Sequence, residues 1–77
     1  MTRQEKREYM EMPTVAVYSF GLAGLEIKAI EYGIEDYVVF VAMEKTVHRT
    51  KICTPPSGTS YFRYGNLRIR LDECMRV

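Results

Sequence analysis

"LAGLEIKAIEYG" (residues 22–33) decides the fold. Read at the period of a helix, Leu22, Leu25, Ala29 and Tyr32 share one face and Gly33 sits at the C-cap. Read at a period of two, Leu25, Ile27 and Ala29 point inward while Glu26 and Lys28 point outward. Two features favour the strand. Gly24 lies inside the helical pattern, and Ile27 and Ile30 fall off its apolar stripe. The alternation slips at Ala29–Ile30, which predicts a bulge or sharp bend there.

With that stretch read as a strand, its neighbours follow. "TVAVYSF" (14–20) is β-branched and aromatic, and "GLAG" (21–24) is turn material. "EYGIED" (31–36) reads as a turn around Gly33. "YVVFVAM" (37–43) is apolar on both faces, which predicts the central and most buried strand, with Met43 as core filler. "KTVHRTKIC" (45–53) is a polar strand rich in threonine. "TPPSGTS" (54–60) is a loop, because two prolines cannot sit in a ladder. "YFRY" and "LRIRL" complete the set, joined by Gly65-Asn66.

The pattern predicts an all-β protein. Five or six short strands form a small antiparallel meander over residues 14–77, curled into an SH3-like barrel. Residues 1–13 form a charged N-terminal tail or a short helix. Thr2 and Glu5 have capping-box spacing, Pro13 stops the helix, and Tyr9 and Met10 are its expected contacts with the body.

Seventy-seven residues make one domain. A chain of this size buries only about 60% of the surface its unfolded form exposes. With 47% hydrophobic and 27% charged residues, the composition is too apolar for a disordered chain. No apolar run approaches the length of a membrane span, so no membrane partner is expected. "MTRQEKREYMEM" (1–12) is charged and lacks the apolar segment of a secretory leader. The expectation is therefore a cytoplasmic protein with Cys53 and Cys74 as thiols.

Charge divides unevenly along the chain. Residues 1–44 carry four basic and eight acidic side chains, a balance of −4. Residues 45–77 carry seven basic and two acidic, a balance of +5. Three of those seven basic side chains, Arg63, Arg68 and Arg70, fall in "SYFRYGNLRIRLDE" (60–73). A two-residue turn at Gly65-Asn66 fixes the pairing there. Tyr64 then faces Leu67, Phe62 faces Ile69, Arg63 faces Arg68 and Tyr61 faces Arg70. Phe62, Tyr64, Leu67, Ile69 and Leu71 make the core face. Tyr61, Arg63, Arg68 and Arg70 make the outer one.

That outer face places Arg63 directly across from Arg68, an arrangement a sheet disfavours. Asp72, of the same parity as Arg68 and Arg70, offers partial compensation. Tyr61 opposite Arg70 suits a cation–π pair. Arginines interleaved with an aromatic are also what single-stranded nucleic-acid binders use for phosphate and base. Arg49 and Lys51 extend this patch if their strand lies beside the hairpin. They share a parity with Val47 and Cys53.

Enzymatic motifs are not found. His48, Cys53, Cys74, Asp72 and Glu73 lack zinc-ligand spacing, so no metal or cofactor is expected. His48 and Cys53 have opposite parity on one strand and point to opposite faces. Glu35-Asp36 and Asp72-Glu73 are adjacent pairs, which suit hydrogen bonds to turn backbone. "GLAG" lacks the spacing and lysine of a phosphate loop. The expected function is a non-enzymatic binding module for an anionic partner, single-stranded or duplex nucleic acid. Its residues would be Tyr61, Arg63, Arg68 and Arg70, with Arg49 and Lys51. The alternative is a protein-interaction or assembly module, including a homodimer, that uses an exposed strand edge or the N-terminal tail.

Overall fold

A computed structural model describes residues 2–77. Helix α1 (Arg3–Glu11) is followed by an antiparallel meander: β1 (Ala16–Phe20), β2 (Ala23–Glu31), β3 (Tyr37–Val41) and β4 (Val47–Lys51). A two-residue strand near the C-terminus, β7 (Met75–Arg76), pairs with β1. The sheet order is β4-β3-β2-β1-β7. Strands β5 (Tyr61–Tyr64) and β6 (Leu67–Arg70) form a separate two-stranded ribbon. Most of residues 22–33, from Ala23 to Glu31, is thus strand and none of it helix, and the fold is mostly β with one short helix.

The sheet is not closed into the expected SH3-like barrel, and β4 and β7 are its two edges. A single bridge, Cys53 to Tyr61, starts a ladder between the end of β4 and β5. Extending it would set Lys51 opposite Arg63, two like charges in one cross-strand pair. The ladder stops short of that pair, and the ribbon instead packs on one face of the sheet.

Two cores result, one on each face. On the ribbon side, Phe62 and Ile69 pack with Leu25, Ile27, Val38 and Phe40. The Phe62 and Phe40 rings lie 5.1 Å apart, centre to centre. On the other side, Val39, Val41 and Val47 lie beneath Tyr9 of α1. β3 serves both cores, which is why its residues are apolar in succession. It is the most completely buried strand, but the middle of the sheet is β2.

The pairing of β2 with β3 slips between Ile27 and Ala29, one residue before the expected place. Lys28 is the extra residue. Beyond it the side chains change sides: Ala29 joins the helix-side core, and Ile30 returns to the ribbon side. Ala29 therefore does not point inward with Leu25 and Ile27. Lys28 is not exposed either, at 7% of its free surface. Its ammonium group donates to the Met12 carbonyl and the Thr14 hydroxyl, both at 3.0 Å, and lies 3.9 Å from Glu26. A buried charge needs such partners, and these tie down the segment that leaves α1.

α1 has the predicted start, with the Glu5 amide donating to Thr2 Oγ1 at 3.2 Å. It ends at Met12, extended as the residue before a proline must be. Tyr9 touches the sheet, but Met10 is exposed, so one ring anchors the helix. Two further residues expected inside lie outside. Met43 is 63% exposed in the β3–β4 turn, and Leu67 is 41% exposed beside the ribbon turn. Turn positions have no layer above them to bury against. The turn after β2 closes as expected, with the Gly33 amide donating to Asp36 Oδ1 at 3.0 Å.

Candidate functional site

The β5–β6 ribbon has the register its sequence predicts: Tyr61 with Arg70, Phe62 with Ile69, Arg63 with Arg68, Tyr64 with Leu67. Gly65 has φ of +60°, as the first central residue of a type II′ turn requires. Alternation then does the sorting. Phe62 and Ile69 go fully into the core, while Arg63, Arg68 and Arg70 are exposed and Tyr61 is half-buried.

The three arginines are not equivalent. Arg70 is held by Asp72 through two bonds, Nε to Oδ1 at 3.1 Å and Nη2 to Oδ2 at 2.6 Å. Glu73 adds a carboxylate at 3.5 Å. The Asp72 bonds raise the pKa of Arg70 further and fix it as a charged group already satisfied. Asp72 and Glu73 thus serve an arginine rather than the turn backbone. Arg68, not Arg70, lies over the Tyr61 ring, its guanidinium carbon 4.6 Å from the ring centre. The direct neighbour is engaged by carboxylates, so the diagonal one takes the ring. Among the described residues, neither Arg63 nor Arg68 has a carboxylate within 4.0 Å.

Beside Tyr61 lies an open recess of about 350 Å³ lined by Pro55, Gly58, Thr59, Tyr61, Arg68 and Arg70. Its loop is pinned at the base. Cys53 and Tyr61 exchange backbone bonds of 2.8 and 2.9 Å, and the Thr54 and Ser60 hydroxyls meet at 3.1 Å. The Leu71 amide donates to the Ser60 carbonyl at 2.9 Å.

Arg49 and Lys51 do not extend this face. Both share the parity of Val47, which belongs to the helix-side core. The Arg49 guanidinium stacks on Tyr37, 3.7 Å from the ring centre, and the Tyr37 hydroxyl donates to Glu31. Lys51 lies 3.9 Å from Glu35.

One polar cluster was not foreseen. Glu44 Oε1 lies 2.9 Å from His48 Nε2, and the Tyr64 hydroxyl donates to both Glu44 oxygens at 3.1 Å. The His48 ring stacks on Phe40 and meets Tyr64 edge-on, with centres 5.2 Å apart in each case. The cluster ties the tip of the ribbon to the β3–β4 turn. Its bond to His48, then one to its own backbone and a weaker contribution from Tyr64, pull the Glu44 pKa down, while burial and that carboxylate push Tyr64 up. The Glu44–His48 spacing was visible in sequence; Tyr64 lies twenty residues on, with nothing local to link it.

Among the described residues, no three His, Cys, Asp or Glu side chains converge to hold a metal ion. Cys53 is exposed, and Cys74 is half-buried with its thiol directed at the Arg70 carbonyl, 3.6 Å away. Burial, then Glu73 and Asp72, push that thiol's pKa up, the opposite of what a nucleophile needs. Among the described residues, no helix is long and apolar enough to cross a membrane.

Fold and site together define a small antiparallel β protein that carries a basic-aromatic ribbon on one face. Comparison with known proteins finds no matching family model, no matching curated protein and no matching solved structure.

Proposed function

We propose that this is a non-enzymatic binding module whose outer ribbon face holds nucleic acid, through Arg63 and Arg68 as phosphate contacts. The observation that carries this reading is the opposition of Arg63 and Arg68 with no acid beside either. Like charges directly across a ladder cost stability. A phosphate between them turns that cost into two charge-assisted bonds. Arg70, already satisfied by Asp72, is a wall rather than a contact.

The test is titration of a labelled oligonucleotide by fluorescence anisotropy at several salt concentrations. Affinity should fall steeply with salt. Arg63→Ala and Arg68→Ala should each weaken binding and reduce the salt slope by about one. Absence of binding at low salt overturns the proposal.

A second reading, a protein-interaction module, has its own observation. The Ile52 amide donates to Asp36 and the Ala42 amide to Thr46, so the even-numbered residues of β4 turn their backbone toward β3. Val47, Arg49 and Lys51 therefore present backbone groups outward along an edge no strand covers. A second copy pairing there gives a mass that rises toward the dimer with concentration. A constant monomer mass by light scattering removes the homodimer form.

A further inference from the structure

We propose that the recess beside Tyr61 takes one unpaired nucleobase, so that the ligand is single-stranded nucleic acid and not duplex. The inference rests on the phosphate reading above and assigns it a second contact. Three observations converge. First, Tyr61 offers a ring on the same face as the two unpaired arginines, one of which already lies over it. A guanidinium over the tyrosine, its carbon 4.6 Å from the ring centre, occupies the place a stacked base would take. Second, the ring lines an open recess together with Pro55, Gly58 and Thr59. Third, the loop is held by backbone bonds at both ends of its base, so the recess exists without a ligand. A Cβ on Gly58 would lie 3.0 Å from Pro55 Cγ, so the wall is folded tightly on itself.

The division of labour follows from the ion pairs. Arg70 is committed to Asp72 and Glu73 and stays as a wall. Arg68 is held only by the ring, a contact of cation–π strength at an exposed site. A phosphate outcompetes it, since a charge-assisted bond is stronger. Arg68 then turns from ring to phosphate, joins Arg63, and leaves Tyr61 free to stack on a base. Bases in a duplex are already stacked on both faces, so only an unpaired one can enter.

Anisotropy titrations at one low salt concentration separate the contacts. The probes are a single-stranded oligothymidylate, the same strand annealed to its complement, and a strand of equal length with abasic sites. Single strand should bind about tenfold tighter than duplex, since one base–aromatic stack is worth that order. The abasic strand should fall to the duplex level on the unmodified protein, a result that depends on no substitution. Tyr61→Leu should abolish the preference for single strand over duplex and over the abasic strand. Equal affinity for single strand, duplex and abasic strand overturns the base slot while the phosphate reading stands. Absence of binding to all three overturns both.

Discussion

Arg63→Glu should stabilise the protein and abolish its affinity for nucleic acid at once. Arg63 faces Arg68 directly across the ribbon, and among the described residues no carboxylate lies within 4.0 Å of either. Opposite charges so placed contribute roughly 0.2–1 kcal/mol relative to a neutral pair, and like charges cost a similar amount. Reversing one charge removes the cost and adds the gain. For exposed groups the lower half of that range applies, giving about 0.5–1 kcal/mol in all. In a domain this small that raises Tm by roughly 2–8 °C. Arg63 is the right partner to change, because Arg68 also holds Tyr61. The assay is thermal unfolding by circular dichroism at low ionic strength, repeated near 1 M salt. Screening contracts to about 3 Å there, so the gain should shrink. A variant with unchanged or lower Tm at low salt would refute the claim that the opposition is unfavourable, and with it the motive for placing an anion there.

Four further outcomes follow from the same contacts. Phe62→Ala opens a cavity where a fully buried ring meets Phe40, and should cost about 3–5 kcal/mol; a loss below 1 kcal/mol in urea unfolding would mean the ribbon is not docked as described. Lys45, in the β3–β4 turn, has φ of +61°. Lys45→Gly should relieve that left-handed strain and stabilise by about 0.5–1 kcal/mol, against which an unchanged or lower Tm would count. Glu44 has a lowered pKa, so it contributes stability that is present above the ordinary carboxylate range and lost as pH falls through its folded value. Tm should therefore drop less steeply on acidification in Glu44→Gln than in the parent, and parallel curves would exclude a role for the cluster. Lys28→Met leaves the Met12 carbonyl and Thr14 hydroxyl without their donor; hydrogen exchange in α1 should accelerate while β3 amides stay protected, and uniform acceleration would argue against a local tether.

The ribbon was legible in its sequence because its information is local. A Gly-Asn turn sets the register, and strict alternation sorts Phe62 from Arg63 and Ile69 from Arg68. What alternation cannot report is competition. Arg70 and Arg68 are both within reach of Tyr61, and the choice falls to Asp72, which lies beyond the end of the strand. Nor does it report layers. Glu26 and Lys28 share a parity, yet one is exposed and one buried, because the Met12–Thr14 segment returns over the second. β7 escaped notice since two residues show no period. The open sheet escaped for a related reason: strand count and spacing do not distinguish a ladder that closes from one that stops at Lys51 and Arg63.

That open architecture bears on function directly. A two-stranded ribbon is marginal in water on its own. Here it borrows stability through Phe62 and Ile69, the two side chains it sends fully into the core. The neighbouring rows of the same strands, Tyr61 with Arg70 and Arg63 with Arg68, face away from the sheet, the arginines exposed and Tyr61 half-buried. A face with little packing duty can carry residues that are poor for stability. Stability and binding should then separate by parity along these eight residues. Substitutions at Phe62 and Ile69 should lower Tm and binding together. Substitutions at Tyr61, Arg63 and Arg68 should lower binding while Tm holds or rises. Measuring both quantities across the five variants decides the matter: if outer-face substitutions lower Tm as much as inner-face ones, the exposed row is structural and the arginine opposition has a role in the fold itself.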